Sequence, residues 1–84
     1  MVTNAWLSFA DICRGSFSEC TFQDTLIAEC GGSEDLAWAV FYRLGNASLA
    51  WMNHNIPALD NAMPADLIRS GNANNVRSCL LRMP

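Results

Sequence analysis

Apolar residues recur along this chain at spacings of three and four, and no stretch sustains the apolar–polar alternation of a half-buried strand, so an all-α fold is expected. In the first segment Ala5, Trp6, Phe9, Ile12 and Cys13 share one broad stripe while Ser8 and Asp11 fall away from it, and Gly15 is expected to end the helix. Thr21 with Asp24 three residues on resembles a capping box. Phe22, Leu26 and Cys30 then line one side of a second helix that Gly31-Gly32 terminates. Ser33 is placed to cap a third helix, EDLAWAVFYRL, which has acids in its first turn, Arg43 in its last and Gly45 just beyond.

On that third helix Leu36, Ala37, Val40, Phe41 and Leu44 cover roughly 140° of the wheel, whereas Trp38 and Tyr42, one turn apart, project to a different side. A chain this small has difficulty filling two cores. The Trp38/Tyr42 pair is therefore either covered by the N-terminal helices or presented as a dimer or partner face. Asn46 is read as the cap of a short fourth helix, which Pro57 stops by forcing the preceding residue away from helical angles. After the Pro57-Ala58-Leu59 turn, Pro64 occupies a first helical position, with Asp66 in the first turn and Gly71 at the C′ position of a fifth helix. Asn72 can cap the last helix, in which Val76, Cys79, Leu80 and Met83 repeat at i, i+3, i+4 and i+7. The expectation is one compact domain over residues 1–84, of about five to six short helices, with residues 1–34 as an N-terminal helical hairpin.

Composition narrows the function. A domain of 84 residues buries only roughly 60 to 65% of its unfolded surface, so a partner surface would help it. Five scattered arginines, no lysine and eight acids give a net charge of −3, with no field to attract a phosphate backbone; nucleic acid is not an expected partner. No run approaches the ~20 apolar residues of a membrane span, and MVTNAWLSF lacks the features of a signal peptide, so a cytoplasmic protein is expected. Cys13, Cys20, Cys30 and Cys79 form no CxxC pair, and their gaps suit neither a zinc knuckle nor a disulfide framework. They are read as reduced, buried, small hydrophobes.

Catalysis has little support in the residue types present. His54 is the only histidine, no nucleophile and base pairing is visible, and the acids fall mostly in first helical turns, where the helix dipole already accounts for them. His54 has no second histidine or spaced carboxylate beside it and is read as a helix-end residue bonding local backbone. A noncatalytic protein without metal or cofactor is expected. No helix has the polar and basic face that a recognition helix needs.

One segment carries a specific pattern. Trp51-Met52-Asn53, the Pro57-Ala58-Leu59 turn, Pro64 followed by Asp66-Leu67-Ile68, then Ser70-Gly71 and a closing Val76, Leu80, Leu81 pattern resembles the C-terminal toxin-binding domain of Xre/MbcA/ParS-type antitoxins. In that family the segment reads approximately W-L-N, P-A-L, P, acidic-Leu-Leu and T/S-G, and the resemblance covers about residues 36–83. Trp51, Asn53, Pro57, Leu59, Pro64, Leu67 and Gly71 would be its structural motif, with two prolines and a buried leucine fixing the angle between helices.

The resemblance implies an all-helical, dimer-forming protein that binds and neutralises a RES-domain, NAD-consuming toxin. Family members usually add an N-terminal helix-turn-helix and often a tail beyond the last helix. The first 34 residues here are too short and apolar for the former, and the sequence stops at Pro84. The expected partner-binding residues are Arg69, Arg77, Leu81, Arg82 and Met83, with Arg77 and Arg82 facing solvent because they lie off the apolar stripe. A homodimer with a protein target is expected. The alternative is a phage or mobile-element regulator, an inhibitor or adaptor that binds a host protein without a toxin.

Overall fold

The computed structural model describes residues 3–83, which form six α-helices and no strand among the described residues. The first, α1, spans Asn4–Phe17; the Thr3 hydroxyl caps it by accepting the Trp6 N–H at 3.1 Å. Its buried side is Trp6, Ala10, Cys13 and Phe17, so the inward stripe is rotated from the expected one. Ala5 is exposed and Ile12 is 66% exposed. Nor does Gly15 end the helix. It sits exposed with open space around it, and Phe17, edge-on to Phe41 at 6.3 Å, anchors the turn beyond it.

Helix α2 (Gln23–Glu29) starts without the expected Thr21/Asp24 box. Phe22 occupies the N-cap position, its ring packed on Phe41 at 5.8 Å, and Gln23 turns its amide onto the Phe17 carbonyl at the end of α1. The helix ends as expected in a Schellman turn: Gly32 N–H reaches the Ile27 carbonyl and Gly31 N–H the Ala28 carbonyl, with both glycines at positive φ. A side chain at Gly31 would also come within 3.1 Å of Ile68.

Helix α3 (Glu34–Leu44) is the centre of the domain, with Leu36, Ala37, Ala39 and Val40 fully buried and α1, α2, α4 and α6 all packed on it. Ser33 precedes it, but its hydroxyl makes no capping bond. Helix α1 lies along α3, and α2 packs against α3 and α4. One apolar core runs through residues of α1 to α6.

Asn46 lies exposed in a 3-10 turn, Gly45–Ala47, rather than capping α4 (Ser48–Met52). The buried Ser48 takes the local role instead, donating to the Gly45 carbonyl at 2.6 Å. The chain then passes through the proline corner to α5 (Pro64–Arg69) and α6 (Ala73–Arg82), whose inward residues are Val76 and Leu80. No helix among the described residues is long and apolar enough to cross a membrane.

All four cysteines are free. Cys13, Cys20 and Cys30 are buried, and Cys79 is half-buried. Burial pushes the Cys13 thiol up to about 11 against the opposing pull of Arg43, and the Cys30 thiol up to about 12 with help from the charges of Asp35 and Glu29. An unfolded thiol ionises near pH ~8.5, so from there to about pH 11 or 12 the unfolded chain holds fewer protons than the folded one, and stability falls as pH rises. Melting temperature is expected to drop over this window, and more gently in Cys30→Ala. At neutral pH a thiol reagent should leave the three buried cysteines unlabelled in the native protein; their rapid labelling would contradict this packing.

Candidate functional site

The proline corner is a closed backbone device. Ile56 is extended ahead of Pro57 (φ −104°, ψ 118°), as a residue before proline must be, and Pro57–Leu59 then form one 3-10 turn. Asp60 and Asn61 follow in the left-handed region at φ 55° and 63°, which non-glycine residues occupy at a cost. They reverse the chain so that Ile56 and Ala62 pair in an antiparallel bridge, with the Ile56 N–H donating to the Ala62 carbonyl at 3.1 Å. Leu59 is the buried residue of the 3-10 turn, and Pro64 opens α5 as a buried first helical residue.

A second Schellman turn closes α5. Gly71, at φ 86°, donates to the Ile68 carbonyl, and Asn72 N–H donates to the Leu67 carbonyl at 2.7 Å. The chain thereby returns as α6, packed on α5 and on the 3-10 turn of the corner. Between corner, α5 and α6 lies a groove of about 410 Å³, whose lining includes Leu59 and Leu67 with Asp60, Asn75, Ser78 and Arg82. A second hollow of about 240 Å³ adjoins it, lined by Ile56, Ala58, Cys79, Arg82 and Met83. Ala58 and Arg82 border both.

Four of the seven expected motif residues belong to the groove or to the backbone behind it. Leu59 and Leu67 line the groove, while Pro64 and Gly71 shape the backbone behind it. Pro57 is exposed on the turn, and Trp51 is half-buried against the core. Asn53 is exposed, yet its amide bonds both the Leu49 carbonyl and Glu29, tying the end of α4 to α2. His54 is exposed with Nδ1 2.6 Å from the Ala50 carbonyl.

Of the expected partner-binding residues, Arg82 and Met83 border the groove and its neighbouring hollow. Arg69 is exposed and ion-paired with Asp66, and Leu81 is half-buried against the core. Arg77 is not solvent-facing. Its side chain is only 16% exposed, with Nε 3.4 Å from Asp35 and the guanidinium 5.7 Å from the centre of the Trp6 ring. It lies 100° round the helix from Val76, and α6 is covered on two sides, by α1 and α3 as well as by the corner, so a position beside the inward stripe is enclosed too.

The Asp35 carboxylate also accepts the Trp6 indole N–H at 2.7 Å, which makes Trp6, Asp35 and Arg77 a staple across α1, α3 and α6. Arg77→Ala is expected to cost about 1 to 3 kcal/mol, and each kcal/mol is worth about 4 to 8 °C in melting temperature for a domain of this size. Arg82→Ala, at an exposed position, should shift it by less than about 0.5 kcal/mol. Equal melting temperatures for the two variants would contradict the staple.

The Trp38/Tyr42 face is divided rather than continuous. Arg14 lies over Trp38 at 5.7 Å, and Phe9 meets Tyr42 edge-on at 6.0 Å, leaving Tyr42 44% exposed. Arg43 was legible only as a helix-end cation. In the fold it spans the Phe9 ring at 4.6 Å and donates to the Leu80 carbonyl near the end of α6. Asp60, Asn75 and Ser78 carried no sequence signal as groove residues, because each is a polar residue in a turn or on a helix surface until the corner folds against α6. Comparison of the chain with protein-family models, with curated proteins and with solved structures finds no match in any of the three.

Proposed function

We propose that this protein is a noncatalytic, antitoxin-like inhibitor that binds and neutralises a protein target of the RES-domain, NAD-consuming kind. The reading is supported by the resemblance of residues 36–83 to antitoxin toxin-binding domains, and by the groove that Leu59, Leu67 and Arg82 line, with Met83 in the adjoining hollow. A rigid corner facing a helix end, with apolar lining and an arginine beside it, has the chemistry of an interface hot spot. It acts in the cytoplasm as a homodimer, joined through exposed side chains of α1 and α3, among them Ile12 and Tyr42.

The test is co-expression with a RES-domain toxin. The parent should co-purify with it and restore cellular NAD and growth, whereas Arg82→Glu combined with Met83→Asp should do neither while keeping its melting temperature. Absence of both complex and rescue with the parent would overturn the toxin reading. A host protein captured in its place would favour the regulator. Light scattering at about 100 μM that shows a monomer would remove the dimer.

A further inference from the structure

The charges of this chain are unevenly placed. Six of its eight acids and only two of its five arginines precede residue 54, a net −4, whereas the remainder carries two acids and three arginines, a net +1. Two of those three arginines are already engaged, Arg69 by Asp66 and Arg77 by Asp35. Arg82 makes no ion pair among the described residues. It is also the charged residue that borders both the groove and the adjoining hollow.

We propose that this surface takes a segment of a partner protein whose apolar side chains enter the groove beside Leu59 and Leu67 and whose carboxylate pairs with Arg82. The inference rests on the protein-binding role proposed above, but not on the partner being a RES-domain toxin. From Asn75 to Arg82 the last helix runs about 10 Å, the length of about three extended residues or two helical turns. Both walls are backbone-closed, one by the Ile56–Ala62 bridge and the other by α6, so little ordering is needed on this side when the segment binds.

Asp60 sets the direction of the segment. It lines the groove but not the adjoining hollow that Arg82 shares with Met83, so an acid at the Asp60 end is repelled while one at the Arg82 end is attracted. The same asymmetry disfavours a nucleic acid, whose phosphates would meet Asp60 as well as Arg82, while the other two arginines of α5 and α6 are already ion-paired.

The test uses a phage-displayed library of random peptides panned on the whole folded chain, with the selected peptides then measured by fluorescence anisotropy. The parent should enrich peptides that join apolar residues to one Asp or Glu. Arg82→Glu should weaken an enriched acidic peptide by about tenfold or more, and the same peptide with its acid changed to lysine should regain binding to Arg82→Glu. Asp60→Asn should admit peptides with a second acid. Circular dichroism melts confirm that the variants are folded, and Arg82→Gln, which removes the charge without reversing it, repeats the comparison.

Failure to enrich any peptide, enrichment without acids, or equal binding to parent and Arg82→Glu would overturn the proposal. So would displacement of the peptide by single-stranded DNA at physiological salt, or a dimer that Arg82→Glu dissociates, which would make a second copy the occupant. A RES-domain toxin that does not bind leaves these peptide results intact. A toxin that binds Arg82→Glu as tightly as the parent overturns this inference alone.

Discussion

Trp6→Ala is expected to leave the domain largely unfolded at 37 °C. Trp6 is 1% exposed, and its replacement removes a whole indole from between α1, α3 and α6, for which the usual cost is about 3 to 5 kcal/mol. An 84-residue domain has in total about 4 to 13 kcal/mol of stability, so one side chain stands against a large share of it. The loss is more than volume. The indole N–H donates to Asp35 at 2.7 Å and its ring lies beside the Arg77 guanidinium, so alanine leaves a carboxylate and an arginine without their common neighbour. Trp6→Phe keeps most of the packing and loses the hydrogen bond, and should sit between parent and alanine in a urea titration. A Trp6→Ala protein melting within a few degrees of the parent would mean that α1 is not integral to the core.

The second large effect belongs to the corner. Leu59→Ala should cost at least about 2 kcal/mol, because the side chain is 92% withdrawn from solvent and is the buried residue of the turn it anchors. The backbone around it is held against its own preference at Asp60 and Asn61, so removing the anchor frees both to leave the left-handed region. Loss of groove and loss of stability should therefore appear together, as a lower melting temperature and a weakened complex. Leu67→Ala is expected to cost less, since Leu67 is half-buried and its helix is also closed by the Gly71 turn. If Leu59→Ala kept both melting temperature and binding, the corner would be neither anchor nor wall.

Much of the secondary structure was readable because its causes are local. Glu34–Leu44 follows from acids at one end, Arg43 at the other and a glycine beyond, and α5 from Pro64 at its start and Gly71 at its close. The end of α2 was fixed by the glycine pair, since a Schellman turn needs a positive φ that glycine supplies most cheaply. These features depend on residues within one turn of each other.

What failed were readings that needed a neighbour. Gly15 signals a helix end in isolation, but Phe41 holds Phe17 in place two residues further on. The Thr21/Asp24 pair has capping chemistry, yet the packing of Phe22 on Phe41 moves the helix start past it. Arg77 reads as a solvated residue beside an apolar stripe until α1 lays Trp6 across it and α3 brings Asp35 within 3.4 Å.

By itself the sequence determined the all-α class, the helix ends that glycine and proline mark, and a proline corner ahead of the last helix, because backbone angles and the 3.6-residue period are properties of adjacent residues. Only the tertiary structure decided which side of α1 faces inward, that Arg77 is enclosed while Arg82 is not, and that Asp60, Asn75 and Ser78 meet at one groove. Those outcomes depend on how helices cross. A helix wheel shows which residues share a face, whereas the number of neighbours covering that face is set by elements dozens of residues away.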